Sequence, residues 1–190
     1  MKKRLLSLIV FALLAAMLLC ACATEGEEWK SAYLDAVAKK DNGTREFALV
    51  YLDGDDIPEL YVTGASEADG NYVYTYKNGK ILEQRMGGAC SSKYIEKSGC
   101  FGNQSGSTGF RSTWVYKLDD NGFNVTFRAE SFEHPDENGE MICEYAVGED
   151  KTDETAYNAA LKEAFDFEGA KGFAENVVSA KEIRKAIKNY

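Results

Sequence analysis

Between Phe47 and Val147 the chain is cut into short apolar or alternating runs, each closed by Asp, Asn or Gly. Punctuation at that spacing suits β-hairpins and leaves no room for long helices. The strongest signal is Lys77-Asn78-Gly79-Lys80, set between Tyr72–Tyr76 and Ile81–Arg85. Asn-Gly fits the two-residue hairpin turn whose central residues both take positive φ. Phe47–Leu52 is apolar on both faces, which predicts a strand in the centre of the sheet. Asp53–Asp56 reads as a tight turn, and Pro58 opens the return strand Glu59–Thr63. Lys93–Phe101, Ser112–Leu118, Phe123–Glu133 and Met141–Val147 are further strands. The Gly/Ser-rich stretch Gly102–Gly109 predicts a mobile loop, and His134–Glu140 a second loop.

Helical periodicity flanks this block. Trp29, Ala32, Tyr33, Ala36 and Val37 form one apolar stripe, ended by Asp41-Asn42-Gly43. Tyr157, Ala160, Leu161, Ala164 and Phe165 form another, with Thr152 or Asp153 as its N-cap. Ser179-Ala180-Lys181-Glu182 has the form of a capping box before Ile183, Ala186, Ile187 and Tyr190. A helix, a block of hairpins, then two helices predict an α+β fold. Its antiparallel sheet has about seven or eight strands, with the N-terminal helix and two C-terminal helices packed on it. Residues 29–190 read as a single domain with no internal linker or repeat.

Residues 1–21 have a different character. Lys2, Lys3 and Arg4 precede Leu5–Leu19, which is interrupted only by Ser7. That run is shorter than the roughly 20 residues a spanning helix needs, and it has the pattern of an export signal. Leu19-Cys20-Ala21-Cys22 follows, and it resembles the bacterial lipobox. The resemblance implies cleavage after Ala21 and a thioether-linked diacylglycerol on Cys22. A cysteine suits this role because its thiolate is a strong nucleophile. Two acyl chains hold a protein firmly where one binds reversibly. Residues 22–28 then form a tether, and its six residues after Cys22 reach only ~20 Å. The expected address is the extracytoplasmic face of the cell membrane.

The chain also resembles a group of uncharacterised small lipoproteins of Gram-positive anaerobes. The likeness rests on the lipobox, the Trp29–Tyr33 helix start and Tyr51-Leu52-Asp53-Gly54-Asp55-Asp56-Ile57-Pro58-Glu59-Leu60-Tyr61-Val62. It extends over the Tyr76–Lys80 hairpin, the Gly/Ser stretch and the 154–167 helix. This resemblance implies the address but brings no activity with it.

Charge and residue chemistry narrow the function. With 22 basic and 31 acidic side chains the formal charge is -9, and losing the leader makes the chain more acidic still. That argues against nucleic acid, whose affinity comes from Lys and Arg on phosphates. The single histidine, His134, excludes chemistry that needs two imidazoles. No G-x-S-x-G elbow, P-loop or CxxC is present. Cys90, Cys100 and Cys143 remain in the mature chain, and export permits a Cys90–Cys100 disulfide, the local pairing, or three buried free thiols.

Asp53, Asp55, Asp56 and Glu59 are the candidate metal ligands. They resemble part of an Asp-rich calcium loop, since Ca²⁺ takes six to eight oxygens from such a turn. The spacing departs from the EF-hand pattern at Ile57, Pro58 and Gly64, and Asp and Gly equally suit a plain turn. Tyr72, Tyr74 and Tyr76 share one sheet face and form a candidate contact surface if no helix covers it. The first reading is a lipid-anchored, non-enzymatic binding module at the cell surface, with a surface protein, glycan or wall component as partner. A calcium-binding version using Asp53–Glu59, and a hydrolase using a carboxylate pair, are the alternatives.

Overall fold

The computed structural model describes residues 26–64, 66, 68–87 and 91–190. Cys22 and the lipobox lie outside the described residues, as does Cys90. The fold is α+β, with mostly antiparallel strands and helices at both ends of the chain. The strands form two sheets. The smaller has the order β1 (Phe47–Val50), β2 (Glu59–Val62), β3 (Asn71–Lys77) and β4 (Lys80–Met86). The larger runs β10 (Asp150–Thr152), β9 (Met141–Val147), β8 (Gly122–Pro135), β7 (Phe110–Asp119), β6 (Cys100–Ser107), β5 (Ser91–Ile95) and β11 (Lys171–Gly172). The helices are α1 (26–40), α2 (Glu154–Ala164) and α3 (Ala180–Asn189), with a 3-10 turn at Phe173–Asn176.

Two cores bind these pieces into four layers. Between the sheets lie Ala48, Val50, Leu52, Tyr61, Val73 and Met86 from one side, and Tyr94, Phe101, Tyr116 and Leu118 from the other. Phe173 closes this core, stacking on Tyr61 at 4.8 Å. On the outer face of the smaller sheet, Trp29, Tyr33, Ala36 and Val37 of α1 meet Ile183 and Ile187 of α3 over Phe47, Leu60, Val62 and Tyr74. Trp29, Tyr33, Ala36 and Val37 of the predicted α1 stripe are buried, and so are Ile183 and Ile187 of the predicted α3 stripe, whereas its Ala186 and Tyr190 are exposed. The outer face of the larger sheet carries α2.

The small sheet explains the two apolar faces of Phe47–Val50. β1 is an edge strand rather than a central one, yet it has a core on each side. Its free edge is closed by Val178, whose N–H and C=O both pair with Phe47. Asn78 and Gly79 take φ of 54° and 73°, and Lys77 pairs with Lys80, as the Asn-Gly signal requires. Asp153 caps α2 by accepting from the Ala156 N–H at 2.8 Å, and Ser179 with Glu182 forms the capping box of α3.

Besides the edge position of β1 and the division of the one expected sheet into two, four further expectations change. The helix α1 already includes residues 26–28, which the tether was expected to hold. Lys93–Phe101 is not one strand but the β5–β6 hairpin. Gly102–Gly109 is not a mobile loop: most of it is strand β6, paired with β7 through Ser107 and with β5 through Gln104. The glycines serve close approach, since a Cβ on Gly102 would meet the Phe167 ring at 2.6 Å and one on Gly106 the Phe110 carbonyl at 2.5 Å. His134 is in β8, not in a loop, and stacks on Phe132 at 5.2 Å.

Candidate functional site

The acidic turn assembles as a closed electrostatic unit. Asp53, Asp55 and Glu59 bring carboxylate oxygens within 4.8 Å of one another. Asp56 stands apart from this group, and its carbonyl accepts from the Tyr190 hydroxyl. All six oxygens of the three carboxylates have partners. Asp53 and Asp55 each accept a backbone N–H two residues on, from Asp55 and Ile57. Their other oxygens hold the Lys77 ammonium at 2.7 and 3.1 Å. Glu59, fully buried, accepts the Leu52 N–H at 2.8 Å and the Thr75 hydroxyl at 3.0 Å.

The chemistry of this donor set follows from those bonds. Burial lifts the Glu59 carboxyl to about 8, against the pull of the Leu52 N–H, so it carries its proton at neutral pH. Burial works against the Lys77 ammonium, but its hydrogen bonds to Asp53 and Asp55 outweigh that and raise its pKa. Lys77 thus stands where a cation would serve, and a divalent ion at this turn would have to displace it.

The tyrosine face is covered. The Tyr33 hydroxyl of α1 donates to the Tyr74 carbonyl at 3.3 Å, and the Tyr76 hydroxyl donates to Glu28 at 2.8 Å. Lys40 sits 3.3 Å from the Tyr72 ring centroid. These rings are the floor of the helix-facing core, so the contact surface proposed for them is corrected: α1 occupies it. Cys100 and Cys143 are free thiols, half-buried and exposed. The proposed Cys90–Cys100 bridge involves a residue outside the described set.

The surface that remains open was not foreseen. A groove of about 660 Å³ lies between α2 and the outer face of the larger sheet. Register places Arg111, Ser131 and Tyr145 side by side across β7, β8 and β9, with Gln104, Thr113 and Ala129 in the next row. Glu133 and Cys143 form the row beyond. From above, α2 contributes Glu154, Tyr157, Asn158 and Leu161. Tyr145 and Tyr157 meet at 5.1 Å, fixing one wall. The residue signal for the groove was the Gly/Ser run of β6 with Ser112, Thr113 and Ser131, because small side chains leave a sheet face hollow. Taken as a loop, that run gives no sign of a groove.

A second hollow of about 500 Å³ borders Tyr61, Asn71, Ser92 and Glu175 between the sheets. Asn103 beneath it bonds the Ser92 hydroxyl through its amide nitrogen, and its buried side-chain oxygen has no partner. Among the described residues no helix is long and apolar enough to cross a membrane. No known family model, curated protein or solved structure matches this chain.

Proposed function

We propose that this protein is a lipid-anchored, non-enzymatic binding module of the extracytoplasmic face, and that its ligand enters the groove beneath α2. One observation carries the reading. The Thr113 and Ser131 residues are 3% and 9% exposed, yet their hydroxyls have no hydrogen-bond partner among the described residues and open onto the groove, since only Asn103 Oδ1 is both buried and unpaired there. A ligand entering the groove can take up these hydroxyls in place of solvent. The anchor is supported by the lipobox ending in Cys22. The non-enzymatic reading is supported by the position of Glu59. A carboxyl raised that far would suit a general acid, but it is sealed in the core and lines neither hollow.

The test is retention of cell-envelope material. Detergent-solubilised envelope passes over immobilised full-length chain and over Asn158→Trp, which fills the groove from the exposed face of α2. Material retained by the parent and lost from Asn158→Trp is the expected result. Equal retention by both, or none by either, overturns the assignment.

A further inference from the structure

Resting on that reading of the groove, we infer that its ligand is a short neutral oligosaccharide. The inference starts from the groups left unpaired. Besides the Thr113 and Ser131 hydroxyls, the Gln104 and Asn158 amides also face the groove without a partner among the described residues. Hydroxyls and amides both donate and accept. A wall of such groups matches a ligand whose own groups do both, and sugar hydroxyls are of that kind.

Charge points the same way. Among the described residues of the lining Arg111 is the one basic side chain, and Glu133 and Glu154 are acidic. That balance disfavours phosphate and nucleotide, which call for clustered Lys and Arg. The polar floor of Gln104, Thr113 and Ser131 disfavours an acyl chain, which would strand those groups dry. A peptide added as an extra strand needs a free sheet edge. The groove lies mostly on a sheet face, over β7 and β8, which are paired on both sides; at its margin Ser105–Ser107 pair with β7 alone among the described residues, and tri-alanine is the control for strand addition there.

The aromatic wall completes the match. Tyr145 and Tyr157 are tilted by 51° with centroids 5.1 Å apart, so the buried Tyr157 ring, 6% exposed, holds the half-buried Tyr145 ring at the groove. A pyranose has one face of C–H groups above a rim of hydroxyls. Its apolar face lies on Tyr145 while the rim reaches Ser131, Thr113 and Asn158. A volume of about 660 Å³ lies within the range of small-ligand sites, and the groove is open enough for a chain of sugars to enter.

Isothermal titration calorimetry on the full-length chain, in a detergent without a sugar headgroup, tests this. The probes are chitotriose, cellotriose and maltotriose, with tri-alanine and inorganic phosphate beside them. At least one trisaccharide should give a saturable heat, with no heat from tri-alanine or phosphate. Tyr145→Ala and Asn158→Ala, both away from the buried cores, should each weaken binding about tenfold, the loss of roughly one hydrogen bond or stacking contact. Circular dichroism confirms that both variants fold. Saturable heat from tri-alanine or phosphate but from no trisaccharide overturns the ligand class. So does silence from every trisaccharide while envelope retention still depends on Asn158. Silence together with failed envelope retention overturns the groove itself.

Discussion

Glu59 is the residue whose surroundings make the clearest demand. Its folded pKa of about 8 lies above the ordinary 4.5, so between those values the native chain holds a proton that the unfolded chain has released. Stability from this site is therefore complete below about 4.5, falls as pH rises through the window, and is gone above about 8. Glu59→Gln keeps an acceptor for the Leu52 N–H and removes the titration, and its amide NH2 faces a Thr75 hydroxyl that can turn to accept. Thermal melts at pH 6 and pH 9 should show the parent losing more stability than Glu59→Gln over that interval. Parallel losses in the two proteins would contradict the assignment. Asp53, Asp55 and Glu59 were legible as a group because turn carboxylates two and four residues apart must lie close. Lys77 was not, because its part depends on β3 returning beside the turn from 22 residues away.

Among the elements, α3 does two jobs: its apolar stripe completes the helix-facing core, and the segment before it closes the edge of β1. Ile187 is fully buried there, whereas the Ser179–Glu182 capping box is exposed. Ile187→Ala should cost about 2–5 kcal/mol and Ser179→Ala about 1 kcal/mol in urea unfolding. An Ile187→Ala loss no greater than that of Ser179→Ala would show that α3 is not part of the core. Helices and hairpins were readable from the sequence because their signals are local: the stripe of α1, the caps of α2 and α3, the Asn-Gly turn. The split into two sheets was not, since strands that pair and strands that stack have the same alternation. Phe47–Val50 shows the point: two apolar faces mean cover on both sides, and an edge strand between two cores meets that condition as well as a central one. The groove was hidden for a related reason. Its lining spans β6 to α2, and only the register of four strands brings Gln104, Ser131 and Asn158 to one place.

At the scale of the whole molecule, the proposed attachment and the proposed recognition belong to separate parts of the chain. The anchor proposed at Cys22 precedes α1, and nothing in the two cores depends on it. Cys22→Ser should therefore leave the fold intact and move the protein from the membrane pellet to the soluble fraction, as read by fractionation and circular dichroism. Retention of the variant in the pellet would contradict the lipid. Glu28 at the start of α1 bonds Tyr76 beside the β3–β4 turn, and Asn78 of that turn donates to the Asp120 carbonyl where β7 gives way to β8. The groove is built on the opposite end of β7, around Arg111 and Thr113. The ten residues of that strand span about 30 Å. On the proposed anchor and groove, the long strands would serve as a stand-off, setting the groove about one strand length from the end of the fold where α1 begins.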